Sequence, residues 1–147
     1  MADIPAAHRA SLLAALRRLM SAESRQDWQT VYRLRPELDR ETETEEQFVQ
    51  RWQEVTLATV LDFEPRLASP STFAAEAEGE QVFDIQGCAQ VERDHTKAGQ
   101  EGAISAHLDQ GSWYLDGVHL LTDDDDKPEP CTFHAGRGLL APPPRHR

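Results

Sequence analysis

The chain has 147 residues, enough for the hydrophobic core of one domain, and carries a formal net charge of −11. This charge argues against binding to nucleic acid, which requires clustered Lys and Arg, and against anionic membrane surfaces. No apolar run approaches the roughly 20 residues that span a bilayer, and the first residues lack the apolar stretch of a secretory signal. We therefore predict neither a nucleic-acid partner nor a membrane partner.

The charge is distributed unevenly along the chain. Residues 1–40 contain seven Arg and five acidic residues, whereas residues 41–121 contain four basic and sixteen acidic residues. Solvation of a charged surface explains such a pattern. The alternative is that the two regions complement each other within the fold or across a dimer, and a homodimer is the oligomer that we predict.

The first predicted helix covers Ala7–Ala22, where leucines recur at helical spacing on one face. A second helix is predicted after Ser24-Arg25-Gln26-Asp27, which matches a capping box with Asp in place of Glu. Pro36 is expected to end this helix, because a proline moves the preceding residue out of helical backbone angles.

The third predicted helix begins at Thr44-Glu45-Glu46-Gln47, which is another capping box. Phe48, Trp52 and Val55 then share one face. The glutamates around the start of this helix are favoured there by the positive end of the helix dipole. This acidic cluster therefore needs no catalytic explanation.

Four β-strands are predicted next. The first lies within Leu57–Phe63, where a continuing helix is the alternative, and the others cover Val82–Lys97, Gly102–Asp109 and Ser112–Leu121. The segment Phe73–Glu80 is compatible with a short strand or a turn. The sequence thus predicts an α+β fold in which three N-terminal helices pack on a curved, mainly antiparallel four-stranded sheet.

The last 26 residues differ in composition from the rest of the chain. They contain the acidic run Asp123–Asp126 and five prolines, and they have little apolar surface to bury. We predict one domain over residues 1–121 and a disordered acidic, Pro-rich tail over residues 122–147. A polyproline ligand at Pro142–Arg145 is a further alternative for this tail.

Two tight turns determine the predicted register of the sheet. The turn Lys97-Ala98-Gly99-Gln100 is expected to pair Ala89 with Leu108, and the turn Asp109-Gln110-Gly111-Ser112 to pair Leu108 with Trp113. The face formed by these apolar residues is expected to lie under the helices.

The opposite face of the sheet carries the candidate catalytic residues. The register places His107 beside Tyr114, and Glu92 in the same row as Asp116. A histidine next to a phenol and carboxylates is suited to general acid–base catalysis. The alternative is that this face is the solvated or dimer-forming side of a half-buried sheet.

Other catalytic and binding motifs are missing from the sequence. Cys88 has no identifiable His partner and Ser105 has no nucleophile-elbow motif. The spacing of His, Cys and Asp supplies no set of three metal ligands, and the glycines form no phosphate-binding loop. We therefore predict no metal and no cofactor.

The two cysteines bear on the compartment in which the protein is expected to be located. Cys88 and Cys131 are far apart in the chain, and Cys131 lies in the Pro-rich tail. Two thiols without a spacing pattern, in a chain without a secretory signal, predict reduced cysteines and a cytoplasmic protein.

Two segments carry a resemblance to a known family. They are Asp27-Trp28-Gln29-Thr30-Val31-Tyr32 in the second helix and Gly111-Ser112-Trp113-Tyr114-Leu115-Asp116-Gly117 late in the sheet. With three helices followed by a curved sheet over residues 7–121, the chain resembles the nuclear transport factor 2-like superfamily of cone-shaped α+β proteins. Ketosteroid isomerase-like and polyketide cyclase-like enzymes belong to that superfamily.

The resemblance implies a pocket between the helices and the concave face of the sheet, and a dimer on the other face. By that geometry Trp28, Tyr32, Trp52 and Trp113 would line or plug the pocket, and the candidate catalytic residues would lie outside it. The scaffold hosts enzymes, small-molecule binders and association domains, so the resemblance does not select a function.

We accordingly predict a cone domain that binds a small apolar ligand or a partner segment without catalysis. The first alternative is an isomerase- or dehydratase-like enzyme, which requires an ionisable side chain that points into the cone. The second alternative is a protein-interaction module whose Pro-rich tail reaches a partner.

Overall fold

The computed structural model describes residues 4–55, 58–71 and 80–141. Within these ranges it contains four α-helices and five antiparallel strands. The helices are α1 (Arg9–Ser24), α2 (Trp28–Leu34), α3 (Glu37–Glu41) and α4 (Glu45–Val55). The strands are β1 (Thr59–Pro70), β2 (Glu80–Arg93), β3 (Thr96–Asp109), β4 (Ser112–Leu115) and β5 (His119–Leu120). The predicted α+β class is confirmed.

The boundary between α1 and α2 differs from the predicted capping box. Gln26 has φ 56°, and the Asp27 N–H donates to the Ala22 carbonyl at 2.8 Å, which is a Schellman end for α1. This reversal releases Asp27 to cap α2, where its side chain accepts the Thr30 N–H. The prediction of Ser24 as the cap was wrong, because Ser24 is still the last residue of α1.

Two helices follow Pro36, whereas one was predicted. The extra helix, α3, begins directly after Pro36 and carries acidic residues in its first turn, where the helix dipole favours them. The capping box of α4 is confirmed. Thr44 N–H donates to Gln47 Oε1 at 2.9 Å, and Gln47 N–H donates to Thr44 Oγ1 at 3.2 Å.

The hairpin between β2 and β3 turns at a different place from the predicted one. Arg93 pairs with Thr96 across Asp94 and His95, which have φ 48° and 65°, so the loop is a two-residue turn of the left-handed type. The predicted turn at Ala98-Gly99 was wrong. In the structure Ala89 pairs with Gln100 instead of Leu108. These two partners are an even number of residues apart, and side chains alternate between faces, so each side chain keeps its predicted face.

The second hairpin has the predicted register. Leu108 pairs with Trp113, and His107 pairs with Tyr114. The predicted last strand is interrupted after Leu115, however, and pairing with β3 resumes at His119. The Asp116 N–H still donates to the Ser105 carbonyl of β3 at 3.1 Å, whereas the Val118 N–H donates to the Glu23 side chain of α1 instead of to a strand.

The core lies between α1 and the apolar face of the sheet. The leucine stripe of α1 is fully buried and packs on β1 and β4. Alternating residues of the strands complete this core: Phe63, Phe83, Ile85, Ala89, Val91, Ile104, Ala106, Leu108 and Leu115. Two irregularities in the pairing of β1 with β2, between Val60 and Asp62 and between Pro65 and Leu67, bend the edge strand.

The segment 122–141 is packed against the sheet, so the prediction of a disordered tail is wrong for these residues. Glu101 N–H of β3 donates to the Glu129 carbonyl at 2.8 Å, and Leu139 N–H donates to the Phe63 carbonyl of β1 at 2.9 Å. Leu139 is buried. Residues 142–147, which include the predicted polyproline ligand, lie outside the described residues, as do Leu57 and most of Phe73–Glu80.

A disulfide between Cys88 and Cys131 joins this segment to β2. The prediction of two reduced cysteines was therefore wrong. The composition of the segment did not indicate that it is ordered. Its order depends in part on the disulfide and on backbone N–H groups that donate to carboxylates of β1, and neither was predicted. Leu140 N–H donates to Asp62, and His134 N–H donates to Glu64. No described helix is long and apolar enough to cross a membrane.

Reduction of the disulfide is expected to lower the free energy of unfolding by about 4 kcal/mol, because the bond closes a loop between cysteines 43 residues apart in sequence. Urea unfolding of the oxidised protein, with and without dithiothreitol, measures this difference. The double variant Cys88→Ala/Cys131→Ala is the control, since dithiothreitol should not change its midpoint. Equal midpoints for the oxidised and reduced wild-type protein would contradict the prediction.

Candidate functional site

A cavity of about 600 Å³ lies between α1, α2, α4 and the sheet, and we call it the inner cavity. Its volume is within the range of small-molecule sites. Its lining includes Glu23, Trp28, Val31, Arg35, Phe48, Arg51, Trp52, Val60, Asp84, Ala103, Ser105, Asp116, Gly117, Val118, His119 and Leu120.

An aromatic cluster forms one part of this lining. Trp28 of α2 stacks on Trp52 of α4 with ring centroids 5.4 Å apart, and Phe48 lies 6.1 Å from Trp52. Phe48 and Trp52 share a helical face, being four residues apart, and so reach the same cavity. The stacked rings of Trp28 and Trp52, with the tilted ring of Phe48, make this part of the lining apolar.

Two of the four predicted pocket residues lie elsewhere. The Tyr32 hydroxyl lies 2.8 Å from the carbonyl oxygens of Arg40 and Glu43, where it ties down the chain between α3 and α4. Trp113 packs on Phe83, and its indole N–H donates to the His8 carbonyl and to the Ser11 hydroxyl. Trp28 and Trp52 do line the cavity.

Glu23 is a buried carboxyl in the inner cavity. Its side chain is held by the Val118 N–H at 3.1 Å, and a Cβ on Gly117 would lie 2.8 Å from its Oε1, so Gly117 permits this close approach. Burial raises the pKa of Glu23 to about 7, and the hydrogen bond from Val118 opposes this only in part. Glu23 therefore titrates in the neutral range.

Two arginines of the inner cavity share one carboxylate. Arg35 lies 3.3 Å and Arg51 2.6 Å from Glu43 Oε1. Both guanidinium groups also lie over the Phe48 ring, at 4.9 and 5.5 Å from its centroid. Hydrogen bonds from Arg51, against a smaller effect of burial, lower the pKa of Glu43, so this carboxylate stays ionised and compensates the arginines.

A second cavity of about 530 Å³ lies beneath α3, and we call it the outer cavity. Pro36 and the residues of α3 form one side, and strand residues form the rest of the lining. Those strand residues are Glu80, Ser105, His107, Asp109, Tyr114 and Asp116. Ser105 and Asp116 line both cavities. The sheet face that carries His107 and Tyr114 was predicted to lie outside the pocket. The structure covers part of this face with α3, a helix that was not predicted.

His107 lies at the centre of the polar contacts in the outer cavity. Its Nδ1 is 2.7 Å from Glu80 Oε1, and its Nε2 is 3.3 Å from Ser105 Oγ and 3.8 Å from Asp116 Oδ2. A carboxylate only accepts hydrogen bonds, so Nδ1 carries the proton. In the neutral ring Nε2 is then the acceptor, and a group at this position can take a proton from a neighbour.

Asp116 is a carboxyl of the outer cavity whose pKa is raised. Burial first, and then the hydrogen bond and repulsion from Asp39, raise the pKa of Asp116 to about 6, although His107 and Arg35 oppose this shift. Asp39 belongs to α3, so the pair forms only because α3 covers the sheet. The neighbouring Asp39 thus favours the protonated form of Asp116.

The remaining predicted site residues are spread over the fold. Tyr114 pairs with His107 as predicted and lines the outer cavity. Glu92 pairs with Lys97 beside the β2–β3 turn, so the register correction moves it away from Asp116 and Glu80 takes the place beside His107. The described residues contain no group of three His, Cys, Asp or Glu side chains that could hold a metal ion.

The position of Glu23 in α1 is a signal of its burial that is present in the sequence. Glu23 continues the spacing of Leu12, Leu16 and Leu19, so it occupies a core-facing position of α1. A carboxyl at such a position is expected to be buried, and buried carboxyls mark functional sites. Glu80 had no comparable signal, because it borders a segment whose structure the sequence left open.

Searches among protein-family models, curated proteins and solved structures find no match to this chain. The resemblance to the nuclear transport factor 2-like superfamily therefore stays a prediction. The function has to be argued from the two cavities.

The pKa of Glu23 predicts how stability depends on pH. A pKa raised from 4.5 to about 7 means that the folded protein holds this proton more tightly than the unfolded chain. The contribution of Glu23 to the free energy of unfolding is therefore fully present below pH 4.5 and is lost as the pH rises through 7. Above pH 7 the free energy of unfolding is lower by about 3 kcal/mol. Glu23→Gln should remove this loss and be more stable than wild type at pH 8.

Urea unfolding at pH 5 and pH 8 checks this prediction. The expected gain of Glu23→Gln over wild type is larger at pH 8 than at pH 5. Glu54→Gln, at an exposed position of α4, is the control and should show no such difference. If Glu23→Gln were only as stable as wild type at pH 8, the idea that burial disfavours the charge of Glu23 would be contradicted.

Proposed function

We propose that this protein binds a small molecule with an apolar body in the inner cavity. The observation that supports the proposal is the aromatic cluster of Trp28, Phe48 and Trp52 along a cavity of about 600 Å³. Natural ligand sites combine such an apolar wall with a few polar groups that orient the ligand. Glu23, Asp84 and Ser105 supply polar groups here.

A neutral fluorescent probe, N-phenyl-1-naphthylamine, tests the proposal. Its emission should rise on binding to the wild-type protein, and Ala103→Leu should weaken binding at least tenfold, because the added side chain occupies the cavity. Trp52→Leu should weaken binding as well, since it removes part of the aromatic cluster. Trp113→Phe is the matched control, because Trp113 lies outside both cavities.

Thermal unfolding of each variant separates loss of binding from loss of the fold. Unchanged binding in folded Ala103→Leu, or no binding to wild type, would overturn the proposal. Native mass spectrometry of protein purified from its own host complements this assay, since a molecule released on denaturation identifies the chemistry of the ligand.

A second candidate function is acid–base catalysis in the outer cavity. The supporting observation is the contact set of His107, where Glu80 holds Nδ1 and Nε2 faces Ser105 and Asp116. A histidine nitrogen that can accept a proton and a neighbouring carboxyl with a raised pKa are the groups needed to remove a proton next to a carbonyl and to return it. Isomerase- and dehydratase-like reactions begin with this step.

Deuterium exchange at the α-carbon of 2-tetralone in D₂O, followed by proton NMR, tests the catalytic candidate. Wild-type protein should accelerate the exchange over buffer, and His107→Gln and Asp116→Asn should each lower the rate at least tenfold. Glu92→Gln is the control, because Glu92 lies at the far end of β2 from Glu80. A wild-type rate equal to that of buffer would contradict catalysis of this type.

We also propose a homodimer and consider the location of the protein in the cell. The homodimer is supported by the uneven distribution of charge along the chain, and light scattering at high micromolar concentration tests it. The disulfide between Cys88 and Cys131 argues against the proposed cytoplasmic location, because disulfides persist mainly in oxidising compartments. A partner-binding tail is disfavoured for residues 122–141, which are packed against the sheet.

A further inference from the structure

The inner cavity combines its aromatic cluster with an excess of carboxyl groups. Glu23, Asp84 and Asp116 are part of the lining, as are Arg35 and Arg51. The two arginines are bound to Glu43, and Arg35 also lies 3.9 Å from Asp116. Their positive charge is therefore already compensated by carboxylates of the protein, and little of it remains to attract an anionic ligand.

Glu23 and Asp84 have no such compensation. In the described ranges, neither carboxyl forms an ion pair with Arg, Lys or His. Negative charge on Glu23 and Asp84 is therefore not neutralised by an ion pair within the described residues.

Glu23 is in addition incompletely hydrogen-bonded. It is 6% exposed, and its Oε1 accepts the Val118 N–H, while Oε2 has no partner among the described residues. Oε2 is not fully enclosed by protein atoms, so it is open to the cavity, where a donor can reach it. The missing donor is available from a ligand in the cavity that Glu23 lines.

We propose that the ligand of the inner cavity is an organic cation: a protonated amine whose N–H donates to Glu23 and whose apolar body lies on Trp28 and Trp52. Carboxylate and aromatic groups together are the usual recognition set for such ligands, since the ammonium group is attracted by the negative charge and by the faces of aromatic rings. This inference rests on the proposed binding function and assigns the chemical class of its ligand.

The chemistry of the lining separates this class from the others. A metal ion is disfavoured because the described residues hold no cluster of three ligating side chains. A neutral apolar molecule would leave Glu23 Oε2 without a donor. An anion would have to compete with Glu43 for Arg35 and Arg51.

A series of probes with different head groups tests the inference by isothermal titration calorimetry at pH 8. The probes are 2-naphthylmethylamine, 2-naphthylmethanol, 2-naphthoate and N,N,N-trimethyl-2-naphthylmethylammonium, which share one apolar body. We expect the amine to bind at least tenfold more tightly than the alcohol, and 2-naphthoate to bind most weakly. The trimethyl compound should bind more weakly than the amine, because it has no N–H to donate.

Glu23→Gln should remove the preference for the amine over the alcohol, and Glu54→Gln should retain it. Equal affinities of wild type for amine and alcohol, or tightest binding of 2-naphthoate, would overturn the cationic class while leaving the binding function intact. Equal binding of the trimethyl compound would overturn the hydrogen bond to Glu23. If none of the probes bound, and N-phenyl-1-naphthylamine also failed, the binding function itself would be overturned.

Discussion

The long antiparallel pairing of β2 with β3 is the constraint on which both cavities depend. It begins at the turn of Asp94 and His95 and continues to the pair of Glu80 and Asp109. Side chains alternate between the two faces of a strand, so this pairing decides that Ile104 and Ala106 enter the core while Ser105 and His107 face the cavities. It also decides which residues share a row, and it brings Glu80 rather than Glu92 to His107.

Carboxyl groups take structural roles that the acidity of the chain does not reveal. Asp62 and Glu64 accept backbone N–H groups of the segment 122–141, and Asp27 caps α2. Burial opposes the charge of Glu64, but the His134 N–H and the side chains of Arg66 and His134 hold its pKa below the usual value. Glu23 has only one such donor, so burial prevails and its pKa rises. The number of donors thus explains why burial raises the pKa of Glu23 but not that of Glu64.

The two cavities are connected through Ser105 and Asp116, which line both. Asp116 follows directly on β4, and it lies between Arg35 on the side of the inner cavity and His107 in the outer cavity. A ligand in the inner cavity that changed the charge of Asp116 would therefore also change the environment of His107. The proposed ligand binding and the proposed acid–base chemistry would therefore use neighbouring groups.

Local interactions are the part of this structure that the sequence by itself determined. The capping box of α4, the leucine stripe of α1 and the hairpin at Gln110-Gly111 each depend on residues close together in the chain, and each was predictable. The face of each β3 residue was predictable too, because alternation tolerates an even error in register. Only the tertiary structure decided that the segment 122–141 is ordered, that Glu80 contacts His107, and that α3 covers the outer cavity. Those contacts join residues far apart in sequence, and their free energy comes from the disulfide, buried hydrogen bonds and packing, which exist only once the chain has folded.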